Sequence, residues 1–247
     1  MDEAQRLTTR SGREIAFRKR EGAGPTLLFL PGYASDMDGA KAMAVDVFAA
    51  ARGLPCLRLD YSGTGSSPGE FADGTLDNWL EDALDIADAL APGPLLPIGS
   101  SMGGWIALHI ALQRGDRVQA LLGIAAAPDF TQWGFTEGHK QMIAREGLLE
   151  EDNPYGPEPK RMYREFWQSG QELRLLEQPI AVDCPVRLIC GEDDPEVPGE
   201  IAVRLMNQLR SADVQLTIVK GGGHRLSEPH EIRAILLVLA GLLEIFS

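Results

Sequence analysis

The sequence predicts an α/β domain built on a doubly wound, mostly parallel sheet. Short, continuous apolar runs recur along the chain, as strands covered on both faces require. They alternate with stretches whose apolar residues follow helical spacing. The alternation breaks once, over residues 126–182, which marks an insertion late in the sheet.

Residues 15–20 alternate weakly and read as an edge strand, and residues 26–30 form a continuous apolar strand that Pro31-Gly32 ends. Residues 37–52 are alanine-rich with helical spacing. Residues 55–60 are a strand running into the loop Tyr61-Ser62-Gly63-Thr64-Gly65-Ser66-Ser67-Pro68-Gly69, with Asp60 at its end in a structural role. Residues 76–90 are an amphipathic helix with acidic residues on its outer face. The apolar run 95–98 leads through a small-residue turn into a helix ending near Gln113, and residues 118–125 are again a strand. Residues 126–182 read as helices separated by Pro154, Pro157, Pro159 and Pro179. The alternation then resumes with strand 186–190, helix 200–210, strand 214–219 and helix 227–246, capped by Ser227. The expected organisation is one domain over residues 1–247. Residues 128–182 are its helical lid, placed at the carboxyl ends of the strands, where such sheets bind ligands.

A chain of 247 residues can bury a substantial core without covalent staples, and its 44% hydrophobic and 24% charged content is that of a globular protein. The net charge of −13 argues against nucleic acid as a partner, because phosphate binding needs clustered Lys and Arg. It also disfavours steering of polyanionic substrates unless a local basic patch overrides it. The three cysteines are an odd number, and Cys56 and Cys190 lie in strand-like runs as buried free thiols, which implies a reducing interior. Met1-Asp2-Glu3 opens the chain without a charged-then-apolar leader, so a cytoplasmic location is expected. The longest apolar stretch, residues 234–243, is too short to span a bilayer. With neither an H-E-x-x-H motif nor a paired C-x-x-C, no metal and no cofactor are expected.

Gly99-Ser100-Ser101-Met102-Gly103 spells G-x-S-x-G between a strand and a helix. A sharp strand-to-helix turn through small residues exposes the central serine hydroxyl and aims the first helical N–H groups at whatever it attacks. Ser101 is therefore the candidate nucleophile. Of the four histidines, His109 lies ~12 Å further along the same helix and cannot serve as base. His139 lies in the insertion and His230 inside the last helix. His224 follows Gly221-Gly222-Gly223 at the end of the last strand and is the candidate base. The expected order is serine, acid, histidine. The loop Glu192-Asp193-Asp194 starts where strand 186–190 ends, with Asp194 the candidate acid and Asp193 the alternate. Two backbone N–H groups would meet the developing oxyanion: Met102, at the helix N-terminus, and Tyr33, after the turn at Gly32.

These residues together resemble the α/β-hydrolase superfamily over nearly the whole chain. Leu30-Pro31-Gly32-Tyr33, the stretch from Asp60 to Ser67, and Gly99 through Trp105 are similar to the subgroup of the mitochondrial palmitoyl-protein thioesterase and mycophenolic acid acyl-glucuronide esterase. Cys184-Pro185-Val186-Arg187-Leu188 and the Asp194…Val197-Pro198 ending share the likeness. The insertion is less alike, and the transit-like start of the mitochondrial protein is missing. The resemblance implies Ser101 as nucleophile, Asp194 as acid and His224 as base. It also implies hydrolysis of acyl thioesters or carboxylic esters, on a small-molecule or acylated-protein substrate.

The insertion carries Trp133, Phe135, Tyr155, Tyr163, Phe166 and Trp167. Phe166-Trp167 reads as a packing stripe, whereas Trp133 and Phe135 lie near the sheet and are the candidate pocket residues for a medium-chain or long-chain acyl group. The competing readings are a different activity on the same fold, such as carbon–carbon bond hydrolysis, and a non-catalytic binding protein.

Overall fold

The alternation read from the sequence folds into a single eight-stranded sheet flanked by helices. The structure, a computed structural model, describes residues 4–153 and 156–246. Met1-Asp2-Glu3, Pro154, Tyr155 and Ser247 lie outside the described residues.

The elements in chain order are β1 (Gln5–Thr8), β2 (Glu14–Arg20), β3 (Thr26–Leu30), α1 (Ala40–Arg52), β4 (Cys56–Leu59), α2 (Leu76–Leu90), β5 (Leu95–Ser100), α3 (Met102–Gln113) and β6 (Leu121–Ile124). The insertion follows with α4 (Phe130–Trp133), α5 (Glu137–Glu146), β7 (Leu148–Glu151), β8 (Lys160–Tyr163) and α6 (Arg164–Glu172). The chain closes with β9 (Val186–Gly191), α7 (Gly199–Gln208), β10 (Val214–Val219) and α8 (Pro229–Leu243).

The strand order is β1-β2-β4-β3-β5-β6-β9-β10, with β1 and β2 antiparallel to their neighbours and the remaining strands parallel. Every residue of β3, β5 and β9 is buried, which is why these strands read as unbroken apolar runs. The core splits across the sheet. One cluster joins α2, α3 and α7 to the insertion, and the other joins α1 and α8. From β3 the chain steps by way of α1 to β4 on one side. From β5 it steps by way of α3 to β6 on the other. The carboxyl ends of β3 and β5 are therefore adjacent at the point where the winding reverses, leaving a crevice there.

Three sequence expectations are corrected. Residues 15–20 are not an edge: β1 covers β2, and β1 went unseen because it is short and mostly exposed, so it carries no apolar alternation. The insertion is not wholly helical, since β7 and β8 pair as an antiparallel hairpin with Leu148 opposite Tyr163. These strands hide in a charged sequence because only Leu149 and Met162 are buried in them. Ser227 does not cap the last helix. Glu228 does, in a reciprocal capping box with Glu231.

Asp60 has the structural role expected of it. Its buried carboxylate accepts the Met37 N–H at 2.7 Å and the Ser66 N–H at 2.8 Å, joining the loops that follow β3 and β4. The insertion is fixed to the body by similar contacts. Ser169 Oγ accepts the Leu76 N–H and the Trp105 indole donates to the Leu173 carbonyl, while within the insertion Asp129 accepts the N–H groups of Leu175 and Leu176 and ties its two ends together.

Among the glycines, a Cβ would meet its closest neighbour at Gly103. A Cβ there would lie 2.0 Å from the Leu30 carbonyl oxygen and 2.6 Å from that of Pro31. Both are backbone atoms that a rotamer change cannot move. Gly103→Ala is therefore expected to lower the unfolding free energy by about 1–3 kcal/mol or more, read as a fall in the urea midpoint at unchanged m-value.

Candidate active site

Ser101 sits at the turn between β5 and α3 with φ 54° and ψ −118°, a conformation an L-residue holds only when its surroundings impose it. Three backbone hydrogen bonds impose it here. The Ser101 N–H donates to the Ile124 carbonyl at 2.9 Å, and the Ser101 carbonyl accepts from Gly104 at 2.9 Å and Ala127 at 3.1 Å. The serine is thus clamped to β6 on one side and to the first turn of α3 on the other, with its side chain facing the crevice.

His224 reaches the serine from the loop after β10. Its Nε2 lies 3.1 Å from Ser101 Oγ, and its Nδ1 lies 2.8 Å from Asp194 Oδ2. An ionised carboxylate only accepts, so the Nδ1 proton belongs to the imidazole and Nε2 is left to accept the serine proton. The second Asp194 oxygen accepts the N–H groups of Glu196 at 2.8 Å and Val197 at 2.9 Å. Of the two aspartates weighed for the acid, Asp194 is buried against the ring, whereas Asp193 is exposed. Burial by itself would raise the Asp194 pKa. The hydrogen bond and charge of His224 and the two N–H donors outweigh it and hold the carboxyl below its ordinary value.

The other titratable candidates are occupied elsewhere or inert. His109 is buried with Nε2 2.9 Å from the Leu173 carbonyl, and burial lowers its pKa. His139 lies beside Glu151 in the insertion and His230 in the first turn of α8. All three cysteines are free thiols. Burial raises Cys56 to about 12 and Cys184 to about 11, and it also raises Cys190, which leaves little thiolate at neutral pH. Among the described residues no group of His, Cys, Asp or Glu is arranged to hold a metal ion.

The loop after β3 runs beside the serine. A Cβ on Gly32 would lie 3.2 Å from the Ser100 carbonyl oxygen and 3.3 Å from Ser101 Cβ, so this backbone passes as close as packing allows. It brings Tyr33 to the mouth of the crevice facing α3, where Met102 is the first helical residue and its N–H has no acceptor within the helix.

A cavity of about 800 Å³ opens over Ser101 and His224, and Trp133 and Phe135 line it. Tyr33, Phe71, Phe130 and Tyr163 line it as well, and sequence reading missed these four as pocket residues. The signal was present for Phe130, which opens the insertion, and absent for Phe71, which lies in the loop between β4 and α2. The Tyr33 ring packs on Phe166 at 4.7 Å and Phe71 at 5.0 Å between centroids, and its hydroxyl donates to the Arg161 carbonyl at 2.8 Å. Burial pushes the Tyr33 phenol well above its ordinary pKa, so it remains a donor. Trp133 is fixed by its indole N–H on the Pro128 carbonyl at 2.8 Å.

Comparison with known proteins extends the likeness over the whole frame. The model of the alpha/beta hydrolase family matches residues 27–235. The mitochondrial palmitoyl-protein thioesterase ABHD10 of Pongo abelii is 36% identical over 93% of this chain and 76% of its own length, and that of Homo sapiens is 35% identical with the same coverage. Among solved structures, the mouse alpha/beta hydrolase domain-containing protein 10 superposes with a TM-score of 0.93 at 34% identity, covering both chains fully. A putative hydrolase from Agrobacterium vitis S4 superposes with a TM-score of 0.91 at 37% identity, over 97% of this chain and 98% of that one. The relatives overturn the cytoplasmic location expected from the sequence, because they are named as mitochondrial proteins. Free buried thiols indicate a reducing environment and do not separate one reducing compartment from another.

Asp194 gives the site a pH signature. Its pKa is depressed in the folded chain, so it stabilises the fold above the unfolded carboxyl value of about 4, and this stabilisation is lost as pH falls through the folded value. Asp194→Asn is expected to be less stable than the wild type at pH 7, with the difference narrowing as pH drops below about 4. Urea unfolding of both chains across that range measures it, and a gap constant with pH would contradict the assigned charge state.

Proposed function

This chain belongs to the alpha/beta hydrolase family, and from that premise we propose that it is a serine hydrolase cleaving acyl thioesters or carboxylic esters through an acyl-enzyme on Ser101. The observation that carries the reading is the continuous hydrogen-bonded run from Ser101 Oγ through His224 to Asp194, seated on a strained turn.

In the proposed mechanism His224 Nε2 takes the Ser101 proton as Oγ attacks the acyl carbonyl carbon. Asp194 holds the imidazole in the required tautomer and stabilises the imidazolium. The backbone N–H groups of Met102 and Tyr33 receive the negative charge developing on the carbonyl oxygen. Collapse of the tetrahedral intermediate breaks the bond to sulfur or oxygen, and His224 returns the proton to the departing thiol or alcohol. The leaving group departs, and water activated by the same imidazole then cleaves the acyl-enzyme.

In this reading residues 128–182 serve as the lid, and its Phe130, Trp133, Phe135 and Tyr163 line the acyl site together with Tyr33 and Phe71. The cavity volume of about 800 Å³ lies in the range of sites that enclose whole small molecules. The aromatic side chains Tyr33, Phe71, Phe130, Trp133, Phe135 and Tyr163 in this lining support a medium-chain or long-chain acyl group over a short one. The relatives named palmitoyl-protein thioesterase support the same class of acyl donor.

Ser101→Ala is expected to lose roughly three to six orders of magnitude of turnover and to resist labelling by a fluorophosphonate probe that marks the wild type. Retained turnover in that variant would refute the nucleophile. On a panel of acyl thioesters and p-nitrophenyl esters, kcat/KM is expected to rise with acyl length from acetyl onward. A maximum at acetyl would rule out the acyl pocket. Trp133→Ala is expected to lower kcat/KM on the longest esters about 10-fold or more, as expected for loss of ~1–3 kcal/mol of pocket contact, while changing acetyl ester turnover little.

A further inference from the structure

Lys41 is placed where a lysine is expensive. It stands in the first turn of α1, where the helix dipole is positive and a cation is disfavoured. Its side chain lines the cavity beside Ser101 and His224. Burial and the neighbouring Arg225 charge lower its pKa to about 8, against a weaker opposing pull from Glu231. Its ammonium donates a hydrogen bond to the backbone carbonyl of Arg225, the residue that follows His224.

That bond matters because of how the histidine loop is held. Before His224, the loop is tied to the acid loop: the Asp193 N–H donates to the Gly222 carbonyl at 2.9 Å, and the Gly221 N–H donates to Glu192 Oε2 at 3.1 Å. After His224, Leu226 takes φ 44°, a left-handed conformation that a leucine does not adopt unaided. Between those points, Lys41 bonds the backbone directly after the imidazole to a helix on the opposite face of the sheet from α3.

We infer that Lys41 is a positioning residue for His224, bracing the downstream side of its loop so that Nε2 stays within reach of Ser101 Oγ. The inference rests on the serine-hydrolase reading above. Lys41 touches the backbone beside His224 and takes no part in bond making, so its loss lowers turnover without weakening the binding of a neutral substrate.

The test compares Lys41→Met, which keeps the apolar stem, and Lys41→Arg, which keeps a cationic donor, with the wild type on a neutral p-nitrophenyl ester. Thermal midpoints are recorded for each, and Ser101→Ala is run alongside. The expected result is a kcat for Lys41→Met lower by about 10-fold or more, the order of one lost hydrogen bond to a charged group, with KM within twofold. Fluorophosphonate labelling should slow in parallel, and Lys41→Arg should recover most of the rate. A raised KM with unchanged kcat would overturn the inference in favour of a substrate contact. Unchanged kcat and KM would overturn it outright. Equal losses in both variants, with lowered thermal midpoints, would overturn it in favour of packing alone. Activity surviving in Ser101→Ala would instead refute the serine-hydrolase reading, which separates the two failures.

Discussion

The close approach of α3 to the end of β3 is the constraint on which the rest of the structure depends. Gly103 lets the first turn of α3 pack directly against the Leu30 and Pro31 carbonyls, with no side chain between them. With that turn in place the chain can leave β5 only through a sharp reversal, and Ser101 must hold φ 54°. The loop after β3 passes the same turn at Gly32, whose Cβ would lie 3.3 Å from Ser101 Cβ. The strained serine and the close passage of this loop thus meet at one place in the backbone. The reversal of winding between β3 and β5 opens the crevice that the serine side chain faces.

Tyr33 links this arrangement to the insertion. Its backbone belongs to the loop beside the serine, while its ring lies among Phe71, Trp79, Phe130 and Phe166, and its hydroxyl is bonded to the Arg161 carbonyl of β8. Lys160, the preceding residue, pairs with Glu196 at 2.9 Å, and the Glu196 N–H donates to Asp194. The β7–β8 hairpin therefore contacts both the loop after β3 and the acid loop. The insertion is a wall of the site, held by aromatic packing on one side and on the other by hydrogen bonds that Ser169 Oγ and the Leu173 carbonyl accept from Leu76 and Trp105 of the body. Such edge-to-face ring contacts contribute about 0.5–1.5 kcal/mol each beyond burial, enough in combination to keep the wall seated.

The parts legible in the sequence are those where burial leaves a pattern. β3 and β9 were placed to within a residue because covered strands must be apolar throughout, and β5 was placed two residues short because its last two residues, Gly99 and Ser100, carry no apolar signal. The Ser101, His224 and Asp194 positions were legible because each sits just past a strand end, marked by glycine or a change to polar residues. β1, β7 and β8 were not legible, since short exposed strands satisfy their backbone through pairing and need no apolar signature. The pocket was half legible for a related reason. Trp133 and Phe135 lie in the insertion, where a lining is looked for. Tyr33 and Phe71 come from loops of the body, and only the tertiary arrangement turns them toward the insertion. Ser227 was a sound cap by residue type, but Glu228 displaced it because Glu231 lies three residues on and completes a reciprocal pair.

The net charge of −13 misleads if it is carried into the site. Lys41, Lys160, Arg161 and Arg225 all line the cavity, facing Glu70, Glu151 and Glu196. The acidic excess therefore lies elsewhere on the surface, where charges more than about 8 Å away are largely screened at physiological ionic strength. What a substrate meets at the mouth is set by this local set of basic and acidic side chains. An overall acidic chain is thus no argument against a leaving group that bears negative charge. The sequence total bears on long-range steering, whereas the local field at the cavity is set by the few charged side chains that line it.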